Sequence, residues 1–377
     1  MTTPIEDIRR ELAIRAAARG DEARAMPPSF YKSADFHALE REEIFRKDWV
    51  CLGHAAELAS AGDYFTVDVV GEPLLVVRGG DAKIRVLSNV CRHRGNLVAK
   101  GAGNRLRFVC GYHAWAYTAD GALANAPFMG GRKGFDRADC ALPEFRSEIW
   151  QDFIFVDLGG EAEPLAPRLD WFLPRTRNYR PLGRHHQFIA EETWNTNWKS
   201  LFENFMEGYH LSSAHPQTLH PMTPTALCRK IPCRPGVTAY LSGYDPGWPD
   251  RGPFPETLTE EERRNSVMFG VFPNLLVGLV SNVTLYMMLF PIAADRVAIR
   301  WGLAGAVADP NDPDVLRYRD LCLAFNAEDR AILEAIQQGL NSRHYHGGPL
   351  APDDFEGTIV EFHRYIASRI GVPDRAL

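Results

Sequence analysis

Two cysteine–histidine pairs are the most informative residues of this chain. Cys91-Arg-His93 and Cys110-Gly-Tyr-His113 are separated by sixteen residues, and each cysteine is followed closely by its own histidine. Two thiolates and two neutral imidazoles are the ligands of a [2Fe-2S] cluster in which one iron has only histidine ligands from the protein. A zinc site could use the same atoms, but zinc fingers place their two cysteines together and their two histidines together. The order along the chain therefore favours an iron–sulfur cluster.

A second group of metal-binding residue types follows at Glu207, His210 and His215. Two imidazoles and a carboxylate from later in the chain would form the 2-His-1-carboxylate set that suits ferrous iron. A helix predicted from 195 to 209 would place Glu207 beside His210, because residues three apart share a helix face. The two histidines could also be unrelated polar residues near a helix end. Their occurrence after the cysteine–histidine pairs favours the metal site.

Short apolar runs with turn residues between them predict an antiparallel β domain over residues 49–160. Both cysteine–histidine pairs follow predicted strands, at 83–90 and 105–109, so they are expected on the tips of neighbouring hairpin loops. The first of these strands is centred on 84–88, and two further strands are predicted at 64–70 and 74–78.

The remaining chain predicts an α+β arrangement. The Pro-rich stretch 161–174 is the expected linker to a catalytic domain that covers 161–377, with antiparallel strands within 271–303. Residues 1–48 are expected to be N-terminal helices that pack on this catalytic domain. Helices are predicted at 5–24, 39–48, 195–209, 314–339 and 358–370.

Composition excludes several classes of protein. The 377 residues include 45% hydrophobic residues and carry a formal charge of -6, which suits two soluble domains and gives no basic surface for nucleic acid. Neither a membrane span nor a secretory signal is apparent. The seven cysteines lack a framework spacing, so we expect reduced thiols in a cytoplasmic protein. Cys228 and Cys233 could form a disulfide or a metal site, although two packed thiols are the simpler interpretation.

The motifs resemble those of the Rieske-type non-heme iron oxygenases, in their alpha (catalytic) subunit. The resemblance spans about residues 40–370 and is densest at Asn89-Val-Cys-Arg-His-Arg-Gly, Cys110-Gly-Tyr-His-Ala-Trp and the segment from Asn197-Trp-Lys to His215. It implies that Cys91, His93, Cys110 and His113 bind the [2Fe-2S] cluster and that His210 and His215 bind Fe(2+).

The same resemblance implies how electrons reach the iron. Glu207 takes the place of the acidic residue that bridges to a cluster histidine of the neighbouring subunit. The two centres within one subunit of this family are too far apart, which implies a head-to-tail homotrimer. Ala327-Glu328-Asp329-Arg330 resembles the segment that carries the third iron ligand. Asp329 is the predicted ligand and Glu328 is the alternative.

An oxygenase of this kind needs O2 and two electrons. The chain has no Gly-rich dinucleotide fingerprint, so a separate flavin/iron–sulfur reductase is the expected partner. Basic residues near the ligand loops could form a solvated rim, or could steer an acidic electron-donor protein towards the cluster. They are Arg92, Arg94, Lys100, Arg105 and Arg107.

Glutamate at position 207, instead of aspartate, resembles the branch that acts on quaternary ammonium compounds such as betaines, choline or carnitine. Gly208 and Leu211 depart from that branch, whose members often have cysteine there. A cationic substrate needs aromatic faces. The candidate substrate-binding residues are Trp198, Phe205 and Tyr209. The alternative is that these rings are packed in the core.

The expected reaction is therefore hydroxylation of a betaine-type compound, followed by N-demethylation or C–N cleavage. An aromatic-acid ring hydroxylase or O-demethylase on the same scaffold is the alternative. A Rieske electron carrier without catalysis would need only the first domain, and the second metal motif argues against it.

Overall fold

Residues 46–163 form a unit of antiparallel strands, and the rest of the chain forms a second unit around another antiparallel sheet. This second unit joins the residues up to Phe45 with those from Pro164 onwards. The computed structural model describes residues 3–179, 181–249 and 254–371. The sequence places the boundaries after residues 48 and 160, a few residues from these breaks. No helix in the described ranges has the length and apolar character that crossing a membrane requires.

The strands of the first unit are β1 (Trp49–His54), β2 (Asp63–Val69), β3 (Glu72–Arg78), β4 (Ile84–Ser88), β5 (Ala102–Asn104), β6 (Arg107–Val109), β7 (Ala116–Thr118), β8 (Leu123–Asn125), β9 (Glu144–Trp150) and β10 (Phe153–Asp157). They form a seven-stranded sheet in the order β1-β10-β9-β4-β3-β2-β5 and a three-stranded sheet in the order β6-β7-β8. The three strands predicted between residues 64 and 88 are confirmed as β2, β3 and β4.

A buried core lies beneath the cysteine–histidine pairs. Leu75, Val77 and Leu87 alternate along β3 and β4 and pack in one hydrophobic cluster with Cys91 and Cys110. Side chains two apart on a strand point to the same face, so the alternation carries these residues to one side of the sheet. The two cysteines are therefore anchored in the core at the bases of their loops.

The second unit contains β11 (His185–Trp194), β12 (Cys228–Ile231), β13 (Val237–Gly243), β14 (Asn265–Val271), β15 (Leu275–Val280), β16 (Val283–Ala293) and β17 (Arg296–Gly305). They form one antiparallel sheet in the order β11-β17-β16-β15-β14-β13-β12. The sequence predicts the strands within 271–303 but misses β11, β12, β13 and β14. Two acidic residues interrupt the apolar pattern of β11, and both find partners on β17. The Arg300 guanidinium donates to Glu191, and the Trp301 indole donates to Glu192.

The helices of the second unit are α1 (Ile5–Ala17), α2 (Pro28–Lys32), α3 (Ala34–Glu40), α4 (Leu165–Leu169), α5 (Leu173–Thr176), α6 (Trp198–Phe205), α7 (Leu211–Ala214), α8 (Glu260–Arg263), α9 (Pro313–Gly339) and α10 (Asp353–Arg369). A short π-helical turn, Arg41–Phe45, follows α3. The N-terminal helix α1 contacts α10, which makes the first helices part of the unit that contains the histidines of the second motif.

Several predicted helices are corrected by the structure. The predicted helix at 314–339 is confirmed as α9, whose N-cap Asp312 accepts a hydrogen bond from the backbone N–H of Asp314. The predicted linker at 161–174 instead contains α4 and the start of α5. The helix predicted through residue 209 ends at Phe205, and its N-cap Asn197 places its start at Trp198.

Candidate functional site

The two loops that carry the cysteine–histidine pairs share one backbone arrangement. In the first loop, the N–H of Cys91 donates to the Asn96 carbonyl at 2.8 Å, and the N–H of Gly95 donates to the Cys91 carbonyl at 3.0 Å. In the second loop, Cys110 donates to Trp115 at 2.8 Å and Ala114 donates to Cys110 at 3.0 Å. Each loop thus folds back on its own cysteine.

The fourth residue after each cysteine turns the chain. Gly95 has a φ of 77° and Ala114 has a φ of 57°, so both occupy the left-handed region. That region costs a residue with a Cβ atom free energy, which explains the glycine in the first loop. The second loop closes a hairpin between β6 and β7, as predicted. The first loop lies between β4 and β5, which are not neighbours in the sheet, and is closed by a single bridge between Val90 and Leu97.

Polar groups surround the two buried cysteines. The Tyr117 hydroxyl lies 3.3 Å from Sγ of Cys91, and the Asn96 side-chain amide donates to Sγ of Cys110 at 3.6 Å. Burial by itself raises the pKa of Cys110, but the Tyr112 backbone N–H and the Asn96 amide outweigh that effect and lower the pKa. A lowered pKa favours the thiolate, which is the form that binds metals.

The two histidines lie at the exposed end of the same loops. The ring centroids of His93 and His113 are 4.5 Å apart, and Trp115 stacks on His93 at 4.9 Å. The four residues thus separate into two buried thiols and two exposed imidazoles. A single zinc ion would draw all four ligand atoms to one point, and no three of them converge in that way in the described structure. The arrangement fits a two-iron cluster better than the zinc alternative.

Glu207 lies beside His210, although the reason differs from the sequence prediction. Helix α6 ends before Glu207, whose carboxylate accepts hydrogen bonds from the backbone N–H groups of Tyr209 and His210. A side chain that binds its own backbone in this way competes with helix continuation. The same carboxylate lies 2.5 Å from Nδ1 of His210. A tight turn therefore makes the contact that the sequence assigned to a helix face.

His210, His215 and Asp329 converge in the second unit. One ligand atom from each lies within 4.8 Å of the other two. Oδ1 of Asp329 is 3.2 Å from Nε2 of His215 and 3.7 Å from Nε2 of His210. Both Nε2 atoms thus face the same carboxylate oxygen, while Glu328, the alternative ligand, contacts Nδ1 of His215 at 2.7 Å.

Asn204 is a site residue that the sequence reasoning missed. Its side-chain amide donates to Oδ1 of Asp329 at 3.2 Å and so orients the carboxylate that faces the two histidines. Asn204 lies within the segment that carries the family resemblance, directly after Glu203, and this Glu-Asn pair was the available signal.

The carboxylates change the protonation of both histidines. Burial lowers the pKa of His210, but the hydrogen bond and charge of Glu207, with the charge of Asp329, raise it above the usual value overall. The pKa of His215 is raised in the same way by Asp329 and Glu328 against the effect of burial. The neighbouring carboxylates therefore shift both imidazoles towards their protonated form relative to a free histidine.

The residues present fit a metal ion. Nε2 of His215 is buried and has no hydrogen-bond partner among the described residues, although Oδ1 of Asp329 lies 3.2 Å away. A buried polar atom without a partner costs free energy, and a cation between these atoms would satisfy it. Two imidazole nitrogens and one carboxylate are the donor set of a mononuclear ferrous site with open positions.

The three aromatic candidates for substrate contact differ in how exposed they are. Trp198 is 0% exposed, packs against Phe45 and Phe362, and donates its indole N–H to Glu40. Its ring has no exposed face in the described structure, which argues against the predicted contact with substrate. Phe205 is half-buried at the end of α6, and Tyr209 is 57% exposed beside His210.

Gly208 makes room for a neighbouring thiol. A Cβ atom at this position would lie 2.3 Å from Sγ of Cys228, which is closer than any contact between atoms allows. Cys228 and Cys233 are both free, and neither belongs to a group of converging metal ligands in the described part of the chain. Burial raises the pKa of each thiol to about 12. They are packed thiols, as the simpler interpretation of the sequence held.

Comparison with known proteins agrees with this geometry. Residues 48–145 match the Rieske [2Fe-2S] domain, and residues 179–371 match the ring hydroxylating alpha subunit (catalytic domain). The carnitine monooxygenase oxygenase subunit of Escherichia coli (strain K12) is 27% identical, over 93% of this chain and 95% of that protein. The glycine betaine monooxygenase oxygenase subunit of Pseudomonas aeruginosa is 26% identical, over 97% of this chain and 94% of that protein.

Solved structures share the fold. A quaternary ammonium Rieske monooxygenase superimposes with a TM-score of 0.82 at 24% identity, over 98% of this chain and all of that chain. Naphthalene 1,2-dioxygenase from Rhodococcus sp. has a TM-score of 0.79 at 20% identity, over 98% of this chain and 99% of that chain. At these identities the likeness concerns the fold alone. The chain belongs to the ring-hydroxylating alpha-subunit family, and it is a Rieske non-heme iron oxygenase whose cofactors are a [2Fe-2S] cluster and a mononuclear iron.

Proposed function

We propose that this chain is the oxygenase component of a two-component monooxygenase that hydroxylates a betaine-type quaternary ammonium compound, with N-demethylation or C–N cleavage following. The observation that supports this substrate class most is the similarity, over more than nine tenths of the chain, to carnitine and glycine betaine monooxygenase oxygenase subunits. Glutamate at position 207, in contact with His210, is consistent with it.

In this proposal His210, His215 and Asp329 hold the mononuclear iron. When bound, ferrous iron supplies O2 activation next to the substrate, and the protein supplies position and surroundings. Asn204 orients the Asp329 carboxylate. Burial of His215 keeps water away from that edge of the site. Two imidazoles and one carboxylate would hold the ion and would leave coordination positions available for O2.

The cluster ligands in the proposal are Cys91, His93, Cys110 and His113. The thiols are buried and the imidazoles are exposed, which suits electron exchange with another protein at the histidine end. Glu207 would connect a cluster histidine of one subunit to His210 of the next in a head-to-tail homotrimer. Its carboxylate already binds Nδ1 of His210, and its side chain is 10% exposed.

Replacing Glu207 tests this electron route. Glu207→Gln keeps the shape of the side chain and removes its charge. Single-turnover reoxidation of the reduced cluster should slow. The KM for substrate should stay close to the wild-type value, because the side chain at position 207 has no contact with substrate in this proposal. An unchanged rate of reoxidation in Glu207→Gln would contradict the proposed route. A monomeric wild-type protein in analytical ultracentrifugation would contradict it as well.

A separate flavin/iron–sulfur reductase is the proposed electron donor. The relatives are named as oxygenase subunits, which implies that another subunit or protein accompanies them. The basic residues near the ligand loops, Arg92, Arg94, Lys100, Arg105 and Arg107, are all exposed. An exposed positive surface attracts an acidic donor and accelerates encounter.

Substrate class is tested by oxygen uptake and product analysis. The reduced protein is incubated with carnitine, glycine betaine, γ-butyrobetaine and choline, and in parallel with a panel of aromatic acids and their methyl ethers. We expect oxygen uptake coupled to formaldehyde or to a released amine with a member of the first panel. Coupled uptake only with the second panel would favour the alternative, an aromatic-acid hydroxylase or O-demethylase.

The fold supports this alternative as well, because naphthalene 1,2-dioxygenase shares it with a TM-score of 0.79. Coupling of uptake to product is the decisive control, since uncoupled uptake releases reduced oxygen species without a product. An electron carrier without catalysis is not retained, because the catalytic-domain match covers residues 179–371.

A further inference from the structure

We propose that Glu328 is a positioning residue for His215, which fixes the tautomer of that imidazole and raises its affinity for iron, and that Glu328 does not bind the metal. The inference rests on the proposed metal site at His210, His215 and Asp329. It assigns a role to the residue that the sequence left as the alternative ligand.

Glu328 contacts the buried ring of His215 at Nδ1. The side chain of His215 is 0% exposed, and its Nδ1 lies 2.7 Å from Oε2 of Glu328. An ionised carboxylate only accepts hydrogen bonds, so the hydrogen of a neutral imidazole must be on Nδ1. Nε2 then presents its lone pair towards Asp329, 3.2 Å away. The contact with Glu328 thus selects the tautomer that can bind a metal through Nε2.

Glu328 is itself held in place. The hydroxyl of Thr218 donates to the same Oε2 atom at 2.6 Å. The carboxylate therefore has two donors, one from the histidine and one from the loop that follows it. Side chains that bind a metal-ligating histidine from behind restrict the rotation of the ring and increase its basicity.

The positions of Glu328 and Asp329 on α9 explain their different roles. Consecutive residues of an α-helix point about 100° apart around the axis, because one turn contains about 3.6 residues. Asp329 consequently faces the Nε2 edge of His215, and Glu328 reaches the Nδ1 edge. Glu328 could approach the point where both Nε2 atoms converge only by giving up its hydrogen bonds to His215 and Thr218. One turn of α9 thus contacts the imidazole from two sides.

The other histidine has a similar arrangement with a different residue. Nδ1 of His210 lies 2.5 Å from Oε1 of Glu207, so both imidazoles have a carboxylate behind them. Glu207 also binds two backbone N–H groups of its own turn, and the proposed electron route passes through it. The side chain of Glu328 is 31% exposed and binds only side chains in the described structure. Replacing Glu328 therefore tests more directly how a carboxylate behind a ligating histidine changes the affinity for iron.

The test measures ferrous affinity by competition with a chelator in the full-length protein. Glu328→Ala removes the acceptor and should weaken binding roughly 10- to 100-fold, as loss of a carboxylate behind a ligating histidine does in other metal sites. Glu328→Gln keeps an acceptor of the same shape without charge and should show a smaller loss. Asp320→Asn removes an exposed charge from the same helix and should leave the affinity unchanged.

A second measurement separates positioning from general damage. Far-UV circular dichroism and the midpoint of urea unfolding report folding of the chain, including the unit that contains Glu328, and should match the wild type in all variants. The EPR signal of the ferrous–nitric oxide adduct reports the surroundings of the iron. It should change shape in Glu328→Gln, because the basicity of His215 changes while its position is retained.

The outcomes are distinguishable from failure of the proposed metal site. Asp329→Ala should abolish iron binding, and if it does not, the site proposal itself fails. If Asp329→Ala abolishes binding while both Glu328 variants bind iron and give the EPR signal of the wild type, the positioning role is overturned. Complete loss of binding in Glu328→Gln together with retention in Asp329→Ala would make Glu328 the ligand.

Discussion

The cluster loops and the iron site reach their ligand geometry by different routes. Each cluster loop is closed by two backbone hydrogen bonds within six residues, in the same pattern around Cys91 and Cys110. The iron site instead brings His215 together with residues of α9, and the contact with Glu328 spans 113 residues of sequence. Short-range backbone geometry forms the first centre, whereas packing of distant elements forms the second.

The two centres also differ in how far their histidines are buried. The cluster histidines are exposed while their cysteines lie in the core, so the loops present imidazoles to solvent. His215 is fully buried, and carboxylates contact both edges of its ring. A centre that accepts electrons from another protein needs an exposed edge. A centre that reacts with O2 benefits from controlled access of water.

Removal of a proposed iron ligand should separate the two centres most strongly. Asp329→Ala removes the carboxylate that faces both Nε2 atoms, so we expect loss of mononuclear iron and of substrate-dependent oxygen consumption. The cluster lies in the other unit, and its sulfide content should be unchanged. Metal analysis and oxygen uptake measure these effects, with Asp320→Asn as the control on the same helix. Retention of iron in Asp329→Ala would contradict the site.

Replacing a cysteine of the first unit tests whether the iron site forms without the cluster. Cys110→Ala removes a buried thiol that we propose as a cluster ligand, so we expect loss of acid-labile sulfide and of the visible absorption. The residues of the iron site belong to the other unit and should still bind one ferrous ion per chain. If iron binding disappears together with the sulfide, the two centres do not fold independently.

A smaller effect is expected where the iron site depends on close packing. Gly208→Ala would place a methyl group against Sγ of Cys228, and overpacking of this kind costs about 1–3 kcal/mol of unfolding free energy. The midpoint of urea unfolding should fall accordingly. Gly339→Ala is the control, because a Cβ atom there meets no atom within 4 Å. The double variant Gly208→Ala/Cys228→Ala should recover part of the loss, and no recovery would contradict the stated cause.

The smallest effect concerns the exposed end of the cluster unit. Arg92→Gln/Arg94→Gln should slow cluster reduction by the native donor roughly threefold or more at low salt, because charges at an interface rim mainly change the association rate. Stopped-flow reduction should show no difference at high salt, where screening removes the attraction. Arg10→Gln, an exposed arginine of the other unit, is the matched control. Equal rates at all ionic strengths would exclude electrostatic steering by these two residues.

The sequence determined the features that depend on neighbouring residues. The order of cysteines and histidines identified the cluster, and Asp312-Pro313 marked the start of α9, because a capping side chain and proline act on the first helical turn. The alternating strands β2, β3 and β4 followed from the period of two. The family resemblance supplied the prediction that His210, His215 and Asp329 bind the iron, with Glu328 as the alternative to Asp329.

Only the tertiary structure decided the features that depend on distant partners. The acidic strand β11 pairs with β17 because Arg300 and Trp301 bind its glutamates. Trp198 lies in the core because Phe45, Phe362 and Glu40 surround it, a fate that its residue type did not reveal. Helix α6 ends early because Glu207 binds its own backbone, and Asn204 enters the site because Asp329 lies within its reach. These features depend on contacts between groups far apart in sequence, or on the choice between a helix and a turn. A local sequence pattern contains no information about such contacts or about that choice.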